Sequence, residues 1–318
     1  MVADAQAPLP LFADLIGQPL AVNLLEAALR TQRLAPAYLF AGPDGVGRRL
    51  AARRFLEGVL SDGAASDRQR RRLEAGNHPD LLWVEPTFQH QGRLLTRAEA
   101  DEAGISRRTP PQLRLEQIRA VSRFLGRQPV EAPRGMVVIE AADAMPEAAA
   151  NALLKTLEEP GQGMLILLSA APEQLLSTIR SRCQLIRFLR LDAADLQSVL
   201  TRCDATAEDS EELLAMASGS PGALMAHRQQ LQELPSELLA RLTERPGSAR
   251  DALALARDLT EALDGEQQLW LLDWWQHMLW RRGNGATSLR RLETLRRHLL
   301  GFVQPRLAWE VALLDLVV

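Results

Sequence analysis

The sequence predicts an α/β protein, a parallel sheet with helices on both faces followed by segments that are helical only. Three observations carry this. Short apolar runs bounded by glycine or polar residues recur over the first 190 positions, amphipathic stretches alternate with them, and from Asp192 onward only helical periodicity remains. With 318 residues, 47% of them hydrophobic, the chain is long enough to bury more than one core.

The elements follow in order. Leu20 to Leu29 carries apolar residues at helical spacing, and Ala37-Tyr38-Leu39-Phe40-Ala41 reads as a buried strand ending in glycine, with a helix from about Arg48 to Leu60. Asp80-Leu81-Leu82-Trp83-Val84 reads as a second strand, and the long polar stretch from Gln89 to Gln112 reads as a surface loop. Leu115 to Gly126 is an amphipathic helix. Met136 to Glu140 is a third strand, Ala148 to Glu159 a helix stopped by Pro160-Gly161, and Met164 to Leu168 a fourth strand. The later helices are broken at Gly219-Ser220-Pro221-Gly222, at Pro246-Gly247 and at Gly283-Asn284-Gly285. The expected organisation is an α/β domain over 1–190, a small helical domain over 191–233 and a final helical domain over 234–318.

Composition excludes several classes. Cys183 and Cys203 are the only cysteines and have no metal-ligand spacing, which argues for a reducing compartment without disulfides or structural zinc. Met1 to Pro10 has no basic run followed by an apolar one, and no apolar run is long enough to span a bilayer. A cytoplasmic protein with no membrane partner is expected. The formal net charge of −3 advertises no global affinity for nucleic acid, so any DNA contact is local.

Between the first strand and its helix lies Gly42-Pro43-Asp44-Gly45-Val46-Gly47-Arg48-Arg49. Its glycines, Gly42, Gly45 and Gly47, have the spacing of a phosphate-cradling loop, G-x-x-x-x-G-K-[ST]. Arg48 stands where that loop needs lysine, and Arg49 where it needs the hydroxyl that ligates Mg²⁺. Lys155 is the only lysine among 37 basic residues, so lysine is available where something selects it, and a preference for arginine alone does not explain the lost hydroxyl at position 49. On spacing alone the segment is equally a plain glycine-rich turn.

Three further stretches carry a resemblance: Ala150-Asn151-Ala152-Leu153-Leu154-Lys155-Thr156-Leu157-Glu158-Glu159-Pro160, then Leu175 to Thr178, then Arg180-Ser181-Arg182-Cys183. They closely resemble the bacterial DNA polymerase III clamp-loader subunits of the AAA+ superfamily. Ile16-Gly17-Gln18, Gly76-Asn77-His78-Pro79-Asp80 and Pro305-Arg306-Leu307-Ala308 agree, so the resemblance covers nearly the whole chain. The G-N-H-P-D stretch, the altered loop and the P-R-L-A ending look most like the delta-prime branch rather than the gamma/tau motor.

The resemblance implies an AAA+ RecA-like domain, a helical lid and a C-terminal helical collar that joins subunits. A motor subunit would carry Asp-Glu where Glu140 and Ala141 stand, a polar γ-phosphate sensor where Ser169, Ala170 and Ala171 follow the fourth strand, and an arginine near Gly222 and Ala223. Glu140 therefore sits at a degenerate magnesium position. Arg182 is intact, and the family uses that residue as an arginine finger reaching a neighbour's ATP site, with Ser181 and Cys183 positioning it. By spacing alone Arg182 is an exposed arginine after a helix. Lys155 and Arg119 are candidates for contact with the DNA backbone, or are simply solvated. The family usually has a cysteine-rich zinc module near Ser61 to Gly76, where this chain has Arg68, Arg70, Arg71 and Arg72, either a solvated helix face or an auxiliary anionic contact. Trp270, Trp274, Trp275 and Trp280 point to burial in the last domain or at a subunit contact.

The missing cysteines depart from the family and imply no zinc, and the altered loop implies no cofactor, doubtful ATP binding and no intrinsic ATPase activity. The partners that the resemblance implies are the gamma/tau motor subunits, the delta subunit, the sliding clamp through the assembly, and primer-template DNA. Two alternatives stay open: an active ATPase using Arg48 and Glu140 as unusual substitutes, which Ala141 argues against, and an inert module that still binds ATP or ADP.

Overall fold

In the computed structural model the described residues are 10–104, 111–203, 209–244, 246–281, 283, 286–301 and 303–317. Met1 to Leu9, and Asn284 and Gly285 of the third expected break, lie outside them. The described chain forms two compact units.

The first unit holds described residues 10–203 and Gly219–Gly222. Its elements are α1 (Pro19–Arg30), β1 (Ala37–Ala41), α2 (Arg48–Leu60), α3 (Asp67–Glu74), β2 (Leu81–Val84), β3 (Phe88–His90), β4 (Arg93–Leu95), α4 (Arg97–Glu102), α5 (Leu115–Leu125), β5 (Met136–Ile139), α6 (Glu147–Glu158), β6 (Met164–Ser169), α7 (Ser177–Arg180), β7 (Gln184–Arg187) and α8 (Ala193–Cys203). Five strands form one sheet in the order β2-β5-β6-β1-β7, every neighbouring pair parallel. Parallel strands buried on both faces must be apolar throughout, which is why β1, β5 and β6 read as unbroken runs. Alternation still decides the partner. Leu39, Val137, Ile139, Leu165 and Leu167 pack with Ile118, Val121, Leu153 and Ile179, whereas Tyr38 stacks edge-on to Phe55 at 5.0 Å and Phe40 lies 5.3 Å from Phe188.

Two expectations need correction. The stretch from Gln89 to Gln112 is not only a loop: β3 and β4 pair as an antiparallel hairpin, and α4 follows. A fifth sheet strand, β7, pairs with β1 after Arg182, and only its Ile186 is buried.

The second unit takes described residues 209–218 and those from 223 onward, with α9 (Glu211–Ala217), the body of α10 (Pro221–Glu233), α11 (Ser236–Glu244), α12 (Ala249–Ala262), α13 (Gly265–Arg281), α14 (Ala286–Leu300) and α15 (Pro305–Val317). Leucines of α11 to α15 close on Trp275 and Trp309, which are both fully buried. Gln268 accepts the Trp309 indole N–H at 3.0 Å, which satisfies a polar group the core would otherwise strand. Of the tryptophans expected to be buried, Trp275 is, Trp270 and Trp274 pack at the core's margin, and Trp280 stays exposed.

Candidate functional site

The loop after β1 adopts the backbone its glycines anticipate. Gly45 and Gly47 have φ of 76° and 104°, in the left-handed region where a side chain is strained. Gly42 is required for space: a Cβ there would lie 2.3 Å from the Phe188 carbonyl oxygen. Buried Gln18, from the Ile16-Gly17-Gln18 stretch, ties the loop down by donating to the carbonyls of Val46 (3.2 Å) and Leu189 (2.7 Å) and accepting from the Leu189 N–H. The turn at Gly219–Gly222 closes on the same loop. Ser220 Oγ donates to the Asp44 carbonyl at 2.6 Å and the Gly222 N–H to the Gly45 carbonyl at 3.0 Å.

The two arginines then fill the site from within. Arg48 is 8% exposed and is paired with Asp44, while its Nε and Nη1 have no hydrogen-bond partner. Burial lowers its pKa, opposed by Asp44, Asp143 and Glu140. Arg49 sends Nε to Glu140 at 2.9 Å and Nη2 to Glu85 at 2.5 Å. Trp83 donates its indole N–H to the same Glu140 carboxylate at 2.5 Å, and the guanidinium groups of Arg49 and Arg53 each lie 5.5 Å from the Trp83 ring. Burial raises the Glu140 pKa, against the pull of Arg49 and Trp83. An open cleft of about 600 Å³ runs along β2, with Arg49, Arg53, Trp83, Glu85 and Gln117 among its walls.

The neighbouring positions are equally committed. Ala141 takes φ of 45°, which costs a non-glycine residue about 1 kcal/mol. Ser169 is fully buried and donates to Asp143 at 2.6 Å, a carboxylate that also accepts the Ala170 N–H. A magnesium–nucleotide does not fit these residues. The carboxylate at the metal position already holds a guanidinium, position 49 brings no hydroxyl, and the serine proton at the end of β6 is spent on Asp143.

Arg182 belongs to a separate cluster. The short helix α7 packs on α6 through buried Ile179, and the chain leaves it with the Arg182 N–H bonded to the Ile179 carbonyl at 3.1 Å. Ser181 Oγ donates to the Thr178 carbonyl, and Cys183 packs against the sheet core, where burial pushes its thiol up to about 12. The Arg182 guanidinium, about one-third exposed, sends Nη1 to the Thr178 carbonyl at 3.0 Å and Nη2 to Glu158 at 2.7 Å.

A family model described as "DNA polymerase III, delta subunit" matches residues 17–192, and one described as "Cyanobacterial DNA polymerase III delta prime, C-terminal domain" matches residues 194–316. The chain belongs to the DNA polymerase III delta-prime family. It is 34% identical over 196 residues to the delta-prime subunit of Bacillus subtilis strain 168, a match covering 59% of this chain and 53% of that one. To the delta-prime subunit of Pseudomonas aeruginosa PAO1 it is 36% identical over 196 residues, covering 59% and 54%. The matched region thus spans about half the length of these relatives. A solved gamma-subunit-related protein of DNA polymerase III from Thermotoga maritima superposes with a TM-score of 0.53 at 18% identity, covering 92% of this chain and 98% of that one, which supports the shared fold alone. The parallel sheet followed by helices is the architecture that the resemblance implied.

Within this delta-prime chain the G-N-H-P-D stretch has a structural use. The Asp80 carboxylate accepts the backbone N–H groups of Val130, Glu131 and Ala132 at 2.6 to 2.7 Å and so fixes the entry to β5. Burial opposes its ionisation, but those three donors outweigh it and hold the pKa below the ordinary value. Of the arginine cluster, Arg70 pairs with fully buried Glu57 and Arg72 with Glu131, so these two serve the fold. Lys155 and Arg119 are exposed on α6 and α5, helices linked by the 2.7 Å hydrogen bond between Ser122 and Thr156. Among the described residues no His, Cys, Asp or Glu side chains converge as a metal site. Sequence reasoning missed Asp44, Trp83, Glu85, Asp143 and Glu158. Glu158 alone had a signal, a carboxylate at the C-terminal end of a helix, where the dipole disfavours it.

Proposed function

We propose that this chain is a non-hydrolysing subunit of a DNA polymerase III clamp loader that lends Arg182 in trans to the ATP site of a neighbouring gamma/tau subunit. One observation carries this reading: the positions that would handle Mg²⁺ and the γ-phosphate are closed by the internal pairs Arg49–Glu140 and Ser169–Asp143, while Arg182 is held at the surface. Arginine fingers contribute on the order of 10³ to 10⁵ in rate to well-studied NTPases, so an inert donor still has a large lever on its neighbour. The further partners in this reading are the delta subunit, the sliding clamp through the assembly, and primer-template DNA met by Lys155 and Arg119. Residues 1–190 would be the AAA+ domain, 191–233 the lid and 234–318 the collar. The exposed Leu300, Leu307 and Val311 suit a collar that packs against other subunits. No helix among the described residues is long and apolar enough to cross a membrane, and a cytoplasmic site of action is part of the proposal.

The test is clamp- and primed-DNA-stimulated ATP hydrolysis by the reconstituted loader, with this chain as wild type, as Arg182→Ala, and assayed alone. Inactivity alone, with reduced turnover in a complex that assembles normally around Arg182→Ala, is the expected result. Turnover by the chain alone, or wild-type turnover with the variant, overturns the reading.

A second reading is favoured by the unpartnered Arg48 N–H groups at the start of α2: a nucleotide phosphate bound there that only stiffens the fold. Thermal unfolding with and without ATP or ADP separates the two, because a ligand of the native state raises stability.

A further inference from the structure

We infer that Glu158 is a positioning residue for Arg182, fixing the plane of the guanidinium through Nη2 so that its remaining donors are left for an arriving phosphate. The inference rests on the trans-finger reading above.

A guanidinium carries five N–H donors in a rigid plane. In Arg182 one goes from Nη1 to the Thr178 carbonyl and one from Nη2 to Glu158 Oε1, and no other hydrogen-bond partner occurs among the described residues. Three donors therefore remain, among them the Nε–H, while two contacts fix the plane. An arriving phosphate can engage the free donors without displacing either contact, so Glu158 remains bound as the finger works.

Apart from the Thr178 carbonyl, which lies within the α7 segment itself, the other elements of the cluster hold the backbone rather than the Arg182 side chain. The Arg182 N–H is tied to Ile179, Ser181 to Thr178, and Cys183 is packed into the core, yet the arginine side chain keeps its own rotatable bonds. Glu158 is the contact from outside the α7 segment that orients it, across 24 residues of sequence.

The helix itself does not account for this carboxylate. Glu158 is the last residue of α6, where the partial negative charge of the helix end disfavours an acid. Its side chain is 54% exposed, and its hydrogen bond and ion pair among the described residues are both with Arg182. An exposed ion pair adds little to fold stability. What Glu158 does contribute is orientation, and misplacing a catalytic group by about 1 Å can cost on the order of 100-fold in rate.

The experiment uses the reconstituted loader with Glu158→Ala, Glu158→Gln, Arg182→Ala and the double variant Glu158→Ala/Arg182→Ala, each checked for assembly by size-exclusion chromatography. Glu158→Ala is expected to lower kcat about 5- to 20-fold with KM for ATP unchanged. Glu158→Gln, which still offers an oxygen to Nη2, should keep at least about half the rate, and the double variant should be no slower than Arg182→Ala alone. Wild-type kcat in Glu158→Ala, with Arg182→Ala impaired, overturns the positioning role and leaves the finger standing. A further loss in the double variant also overturns it, because Glu158 would then act independently of Arg182. Wild-type turnover in Arg182→Ala fails the finger reading itself.

Discussion

Replacing Arg49 by alanine removes a cation that meets both Glu140 and Glu85. The side chains involved are 50%, 20% and 30% exposed, respectively, so solvent screens both pairs. Exposed ion pairs contribute roughly 0.2–1 kcal/mol each and an exposed cation–π contact about 0.5–1 kcal/mol. One guanidinium serves all three, so the terms overlap, and a net loss of about 1–2 kcal/mol at pH 7 is expected. The pH dependence has a definite sign. Burial already raises the Glu140 pKa above 4.5, and removing Arg49 raises it further. For a raised acid, the stabilising contribution is complete below the unfolded value and is lost as pH rises through the folded one. The deficit of Arg49→Ala must therefore be largest near neutrality and shrink as pH falls toward 4.5. Glu140→Gln keeps an acceptor for Trp83 and cannot ionise, so the same change in that background should show a smaller loss, confined to the pair with Glu85 and the Trp83 ring. Urea unfolding followed by tryptophan fluorescence at pH 7 and pH 5 reads both, using the transition of the α/β unit. Equal stability at pH 7, or a deficit that grows on acidification, refutes the assignment.

The partly buried Cys183 thiol, raised to about 12, should react with iodoacetamide at pH 8 more slowly in the native chain than exposed Cys203; equal labelling rates would contradict its partial burial. Asp80→Ala strands three backbone donors and should cost about 3 kcal/mol, and the carboxylate's own contribution should fade as pH falls below 3.8; an unchanged melting curve at pH 7 would count against its role. Gly222→Ala would bring a Cβ to 2.6 Å from the Gly45 Cα, so it should cost about 1–3 kcal/mol and speed amide exchange in the loop; unaltered exchange would show that the close approach is relaxed in solution. The double change Arg48→Lys/Arg49→Thr should create magnesium-dependent ATP binding detectable by calorimetry, still without turnover because Ala141 supplies no carboxylate; hydrolysis by that variant would refute the argument.

Legibility in the sequence followed burial. β1, β5 and β6 could be read because a strand covered on both faces has to be apolar at every position, and α6 because Pro160-Gly161 stops it. β7 escaped because an edge strand with only Ile186 buried, Gln184-Leu185-Ile186-Arg187, shows too little pattern. The β3–β4 hairpin escaped because three-residue, largely exposed strands look like the polar stretch around them. The loop glycines were legible because their conformation is local. Their partners were not: Asp143 lies 26 residues from Ser169, and Trp83 57 residues from Glu140, distances that only the fold closes. The motif Gly76-Asn77-His78-Pro79-Asp80 could be seen but not interpreted, since the three N–H groups it serves lie 50 residues further on.

In the reading proposed above, the Arg49 guanidinium sits where a divalent ion would otherwise come and go. A metal exchanges with solvent and its occupancy follows its concentration, whereas a cation bonded covalently to the chain has no dissociation constant. This corner of the molecule thus keeps a constant charge and shape whether magnesium is abundant or chelated, and whether the surrounding nucleotide pool is charged or spent. Within the assembly proposed above, among subunits that change shape as they bind and release their ligands, such a piece would act as a fixed point of reference.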